Sequence, residues 1–146
     1  MVDYLFAFPH RYQADLLDEL PGGNAIPTFY FPGVSQKGGP DGLLVSIRPN
    51  EAQPWLGIFA FGGYGPITVL SSTPDPDILL VVSRGAGYYI RADDPKAWTG
   101  IMITSIGATY IEGEAWDPTM KEPPMFRVNL NTGEHEGGSS PEMYAV

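Results

Sequence analysis

The 146-residue sequence contains no cysteine, only two histidines and only eight lysines and arginines. Without cysteine, a disulfide framework, a thiolate nucleophile and cysteine-ligated zinc are excluded. The few basic residues are spread from Arg11 to Arg127 without a cluster, whereas nucleic-acid binding needs clustered positive charge to displace counterions from phosphates. The apolar runs are far shorter than the roughly 20 residues of a membrane-spanning helix. We therefore expect no cofactor, no metal, no nucleic-acid partner and no membrane partner.

Acidic residues are abundant by contrast. The 17 aspartates and glutamates give a formal net charge of −9. Such a charge favours solubility and is compatible with a basic protein partner. The segment Met1–Phe8 contains Asp3 and lacks the basic region of a secretory signal, so we expect a cytoplasmic protein.

Glycine and proline are also abundant, with 18 and 15 residues. This composition argues against a helical bundle. One helix is predicted, over residues 12–20, because Tyr12, Leu16 and Leu20 share a helical face and Pro21 follows. The remaining chain is typical of short strands between turns, which predicts one mainly β domain over residues 1–146. We expect an antiparallel sheet in a sandwich, partial propeller or meander, with a flexible tail at 137–146.

Turn residues predict two hairpins and a meander. Ile78–Ser83 is connected to Tyr88–Arg91 by a short glycine-rich loop, and Asn131-Thr132-Gly133 is a second turn. Met125–Leu130 alternates between apolar and polar residues, which predicts an antiparallel meander over Ile101–Leu130 whose buried face includes Ile103, Tyr110 or Ile111, Phe126, Val128 and Leu130.

The acidic residues offer only a weak case for catalysis. Glu112 and Glu114 are two apart and would share a strand face, and two carboxylates are what glycoside hydrolysis requires. Because this spacing is common, we interpret it as a solvated face, and we assign no catalytic residue. We predict an acidic surface made of Asp93, Asp94, Glu112 and Glu114.

The aromatic residues supply the candidate binding surface. An exposed cluster of large aromatic side chains would mark an interface, whereas burial would place them in the core. The stretch Trp55–Phe61 is apolar on both faces, so either a second layer of this chain or a second subunit covers it. The candidate binding residues are Trp55, Phe59, Tyr64, Tyr89, Trp98 and Trp116.

Two blocks of the sequence carry a resemblance. The first has W-x-G-x-F-x-F-G, P-D-P-x-x-L-L-V-V-S-R-G-A-G-Y and R-A-D-D-P, between Trp55 and Pro95. The second has I-x-G-x-A-W-D-P and F-R-V-N-L-x-T-G, between Ile101 and Gly138. Together they resemble uncharacterised bacterial β-rich proteins with propeller-blade-like or meander strands, over about two-thirds of the chain. The resemblance implies architecture and no chemistry. It also implies further strands between Pro95 and Ile101, whose absence would leave an exposed sheet edge.

The sequence as a whole favours a small acidic non-catalytic protein that acts by protein–protein interaction, in the manner of an immunity or inhibitor protein. We expect it to form a homodimer. One alternative is a hydrolase that uses Glu112, Glu114 or Asp117. The other is a structural or carbohydrate-binding β domain in which Trp55, Trp98 or Trp116 stacks on sugar.

Overall fold

A computed structural model describes residues 2–21, 26–32, 42–63, 65–116 and 125–137. These residues form strands and contain no helix, which confirms the predicted mainly β fold. The strands are β1 (Val2–Leu5), β2 (Tyr12–Leu16), β3 (Thr28–Phe31), β4 (Leu43–Pro49), β5 (Trp55–Phe59), β6 (Thr68–Ser72), β7 (Ile78–Ser83), β8 (Ala86–Arg91), β9 (Asp94–Ile106), β10 (Tyr110–Trp116), β11 (Met125–Asn129) and β12 (His135–Gly137).

The strands form two sheets. The large sheet has eight strands in the order β1-β6-β7-β8-β9-β10-β11-β12, and the small sheet has four in the order β2-β4-β5-β3. The β1–β6 and β3–β5 pairs are parallel, so both sheets are mixed and the expectation of a purely antiparallel sheet is wrong. A parallel pair was not expected because the sequence has no crossover helices. In this fold, strands make the crossover instead: the four strands of the small sheet lie between β1 and β6 in the chain.

The helix predicted over residues 12–20 is absent. Burial alternates along β2, with Tyr12 and Ala14 buried and Gln13 and Asp15 exposed. The apolar residues of this segment fit a period of two as well as a helical period. The ladder between β2 and β4, which runs from Tyr12 opposite Pro49 to Leu16 opposite Val45, selects the strand.

The core lies between the two sheets and is rich in aromatic rings. Phe31 stacks on Phe59 with ring centroids 4.6 Å apart, and Trp98 meets Phe31 edge-on at 5.5 Å. The small sheet contributes Tyr12, Ala14, Phe31, Leu43, Val45, Ile47, Trp55 and Phe59, and the large sheet contributes Leu70, Leu79, Val81, Ala86, Tyr88, Ile90 and Trp98. All five residues of β5 are buried. β5 is therefore a central strand of the sandwich, and its side chains are not available to a second subunit.

Hydrogen bonds from buried side chains join the two sheets. Trp55 Nε1 donates to the carbonyl oxygen of Ala92 at 2.8 Å. The hydroxyls of Tyr12 and Tyr88 donate to main-chain carbonyls of the opposite layer at 2.9 and 3.1 Å. Burial raises the pKa of both tyrosines above the ordinary range, because the charged phenolate would lose its water.

Both predicted hairpins are confirmed. Arg84 and Gly85 connect β7 to β8 with φ angles of 48° and 93°, the positive values that a two-residue turn of type I′ requires. Gly133, with φ of 76°, lies in the turn between β11 and β12. The residues of the predicted tail beyond Gly137 lie outside the described part of the chain.

The resemblance implied that strands are missing between Pro95 and Ile101, but the large sheet is continuous over this interval. β8 pairs directly with β9, from Ala86 opposite Met102 to Arg91 opposite Asp94. β9 is a single strand of 13 residues that contains both Pro95 and Ile101. No sheet edge is exposed at this point, because one long strand spans the whole interval.

The large sheet extends beyond the small one. The core residues of the large sheet come from β6, β7, β8, the turn after β8 and the start of β9. The meander predicted over Ile101–Leu130 is confirmed as antiparallel pairing of β9 with β10 and of β10 with β11. We call β10, β11, β12 and the second half of β9 the extension, since the small sheet does not cover them.

Candidate protein-interaction face

The large sheet has an apolar face that points away from the small sheet, here called the outer face. Leu70, Val81 and Tyr88 point into the sandwich, so their neighbours in each strand point outward. The strand registers align these outward residues from β6 to β11. The apolar side chains of the outer face are Val69, Leu80, Val82, Tyr89, Ile101, Ile103, Ile111, Phe126 and Val128.

The outer face is uncharged across its middle. Its other positions between β6 and β11 hold small or neutral residues such as Gly87, Thr99 and Ala115. Within the described strands, the charged side chains on this side lie at its margins, namely Asp3 on the edge strand and the facing residues Arg91 and Asp94 where β8 meets β9. The large apolar residues of the face are half-buried or exposed, whereas Thr99 and Ala115 between them are buried.

The extension has the reverse polarity of an ordinary sandwich layer. On β10 and β11, the face that continues the core side of the sheet carries Glu112, Glu114 and Arg127. The opposite face carries Ile111, Phe126 and others of the outer face. The face predicted to be buried in the meander therefore points away from the core, and the predicted burial is wrong: Phe126 and Val128 are half-buried and Leu130 is 47% exposed.

The two glutamates of the hydrolase alternative do share a strand face. Arg127 Nη2 lies 3.2 Å from Glu112 Oε1, and the guanidinium lies 4.5 Å from the centre of the Tyr110 ring. Glu114 is half-buried on the same side, opposite Met125. Asp117 lies outside the described residues. The structure therefore places Glu112 in an ion pair with Arg127 on this strand face.

Three of the predicted binding aromatics lie inside the protein. Trp55, Phe59 and Trp98 are buried in the core. Their rings cannot stack on a sugar, so the surface described here does not include them. Tyr89, which is 45% exposed, lies on the outer face. Tyr64 and the side chain of Trp116 lie outside the described residues.

The predicted acidic residues Asp93 and Asp94 shape the turn between β8 and β9. Arg91 Nε donates to Asp93 Oδ1 at 3.0 Å, and this hydrogen bond lowers the pKa of Asp93. Asp94 Oδ1 accepts a hydrogen bond from the main-chain N–H of Lys96 at 3.1 Å. In the part of the chain that the structure describes, no group of three or more acidic or histidine side chains is placed to hold a metal ion.

The two histidines remain apart. His10 lies between the rings of Phe6 and Tyr12, at centroid distances of 5.1 and 5.3 Å, and its Nδ1 donates to the carbonyl oxygen of Phe8. His135 lies on β12, opposite Val128.

A second surface feature was not predicted. A groove of about 380 Å³ lies beside the chain that leaves β2. It is lined by Leu16, Leu17, Asp18, Glu19, Leu20, Gly42, Leu43, Leu44 and Ile58. Sequence reasoning missed it because the segment 16–20 was interpreted as part of a helix.

Comparison with known proteins gives no family. No family model, no curated protein and no solved structure matches the chain. Among the described residues there is also no helix of the length and apolarity that crossing a membrane requires.

Proposed function

We propose that this protein is a small acidic, non-catalytic binding protein of the cytoplasm that acts by protein–protein interaction, and that its working form is a homodimer joined through the outer face. The observation that carries the proposal is the polarity of the extension. In the extension, Ile103, Ile111, Phe126 and Val128 lie on the side that no layer of the described chain covers, while Glu112, Glu114 and Arg127 lie on the core side. Contiguous exposed apolar patches of this kind are typical of interaction sites.

Charge favours a second copy as the occupant of the outer face. Each chain has a net charge of −9, so two copies repel one another wherever charged surfaces meet. The middle of the outer face is uncharged, which lets two copies meet there with their charges apart. A basic partner would gain no ion pairs at such a surface.

The size of the outer face sets the expected strength of the dimer. Six strands spaced about 4.8 Å apart, with two or three rows of outward side chains, give a projected patch on the order of 400–600 Å². Two such patches bury about 800–1,200 Å² in total, which is at or below the lower limit of specific interfaces. We therefore expect a weak dimer that forms in the micromolar range and above.

Sedimentation equilibrium between about 10 and 500 μM tests the proposal, and that range brackets the expected affinity. Ile101→Lys places a charge in the middle of the face and is expected to leave only the monomer. Ile26→Lys is the matched control, because Ile26 is 42% exposed against 40% for Ile101 and precedes β3 in the small sheet. A wild-type mass of 15.9 kDa at every concentration would overturn the homodimer, as would equal effects of the two variants.

A further inference from the structure

One wall of the groove beside β2 is the chain segment 17–20, which a main-chain hydrogen bond holds next to β4. The chain that leaves β2 continues alongside β4, and the main-chain N–H of Leu17 donates to the carbonyl oxygen of Leu44 at 2.9 Å. This bond holds the segment 17–20 next to the first residues of β4. The groove is therefore formed by two adjacent main-chain segments whose separation is set by a hydrogen bond.

The floor of the groove is aliphatic. Ile58, on the face of β5 that points away from the core, is only 4% exposed and lies at the bottom. Leu20 is 50% exposed and stands at the rim. Leucine and isoleucine side chains supply all of the large apolar lining, so the groove offers dispersion contacts and no aromatic stacking.

Gly42 lets the chain before β4 approach β5 closely beside the groove. A Cβ atom at this position would come within 2.9 Å of Ile58 Cγ2 and 2.6 Å of the carbonyl oxygen of Phe59. Both distances are shorter than a van der Waals contact, so a larger residue would have to displace β5, including Ile58 in the floor of the groove.

The rim of the groove carries unpaired negative charge. Asp18 and Glu19 are exposed, and within the described residues neither takes part in a hydrogen bond or an ion pair. Asp15, three residues earlier, is by contrast paired with Arg48 at 3.1 Å. Two free carboxylates beside an aliphatic floor favour a ligand that is apolar at its centre and positively charged at its ends.

We propose that this groove binds a short basic segment of a partner protein, with an aliphatic side chain against Leu20 and Leu44 and lysine or arginine side chains against Asp18 and Glu19. This inference rests on the proposed function, because it specifies the kind of partner that the proposed binding protein would bind. The volume is near the lower limit of ligand sites, which suits a peptide of a few residues. The groove is formed by the small sheet and its flanking chain, so it stays open when two large sheets pack together.

The test uses the full-length protein and a synthetic peptide, acetyl-Gly-Lys-Leu-Ile-Lys-Gly-amide, in an NMR titration of the leucine and isoleucine methyl groups. We expect selective shifts of Leu20, Leu44 and Ile58. The same peptide with glutamate in place of both lysines is expected to cause none. Shifts spread over the whole surface, equal binding of the acidic peptide, or no binding at millimolar peptide would overturn the proposal.

Variants separate the two parts of the site. Asp18→Asn with Glu19→Gln is expected to raise Kd about fivefold, because two exposed ion pairs are lost. Glu51→Gln, an exposed acid beyond the far end of β4, is the control and should leave Kd unchanged. An unchanged Kd in the double variant would also overturn the proposal. Ile101→Lys should bind the peptide like wild type, so failure of the homodimer and failure of the groove give different results.

Discussion

The indole Nε1 of Trp55 lies 2.8 Å from the carbonyl oxygen of Ala92, and both residues are buried where the two sheets meet. The bond joins the first residue of β5 to the turn after β8. It satisfies a carbonyl that has no access to water, and it fixes how the small sheet sits on the large one. Trp55 is thus a structural residue, and its polar atom has a partner inside the protein.

Replacing Trp55 by phenylalanine should destabilise the fold strongly. The Trp55→Phe change removes ring volume and also leaves the buried carbonyl of Ala92 without its donor. Trp98→Phe is the matched control, because Trp98 is similarly buried and its Nε1 has no hydrogen bond among the described residues. In urea unfolding, we expect Trp55→Phe to lower the free energy of unfolding by about 1–2 kcal/mol more than Trp98→Phe. Equal losses would show that the bond to Ala92 contributes nothing.

The protein should lose stability steeply in alkaline solution. The pKa values of Tyr12 and Tyr88 are raised in the folded state, and both hydroxyls are hydrogen-bonded to carbonyls. Below about pH 10 both tyrosines are protonated in the folded and unfolded chains, so their contribution is fully present. Above that pH the unfolded chain releases protons that the folded chain retains, and the free energy of unfolding falls by about 1.4 kcal/mol per pH unit for each tyrosine.

Neighbouring tyrosines on β8 allow a direct check of this alkaline loss. Tyr88→Phe removes one of the two buried hydroxyls, while Tyr89→Phe removes the same group from an exposed position. Urea midpoints measured between pH 8 and 11.5 should decline less steeply for Tyr88→Phe than for Tyr89→Phe. Identical pH profiles of the two variants would contradict the assignment.

The extension should be sensitive to side chains on Gly113. This buried glycine lies opposite Phe126, and a Cβ atom on it would come within 2.7 Å of the Phe126 ring and also collide with the carbonyl oxygen of Met102. Because the second contact is with main chain, it cannot be relieved by a rotamer change. We expect Gly113→Ala to cost about 2 kcal/mol, as overpacking does. Gly63→Ala, where a Cβ would meet nothing within 4 Å, should be neutral or slightly stabilising by the same measurement.

Two valines distinguish the core from the outer face. Val81 is fully buried between the sheets, so Val81→Ala should cost about 2 kcal/mol at any protein concentration. Val128 is half-buried on the outer face, so Val128→Ala should cost less than about 1 kcal/mol in dilute monomer. If the homodimer forms, the cost at Val128 should rise with protein concentration, because association stabilises only the folded chain. A cost at Val128 that matches Val81 in dilute solution would place Val128 in a core.

Much of the local structure followed from local patterns. Asn131-Thr132-Gly133 predicted a turn because glycine accepts the positive φ that Gly133 has. The alternation from Met125 to Leu130 predicted a strand with Phe126 and Val128 on one side, and that pairing of faces is present. The groove could not be predicted, since its lining comes from β2, β4, β5 and the chain after β2, which meet only in the folded sheet.

The sequence by itself determined the class of fold, the turns and which residues share a strand face, because these depend on neighbouring residues and on the pleat of a strand. It did not determine that Tyr12–Leu16 is a strand, since the same residues fit a helix until β4 pairs with them. It did not determine which face of a strand is covered. Trp55 is buried because it lies between the two sheets, and Tyr89 is exposed because it points away from the small sheet, which covers only one side of the large sheet. Whether a face of the large sheet is buried depends on where the small sheet packs. The position of the small sheet is decided by strand pairing and side-chain packing between segments that are distant in the sequence.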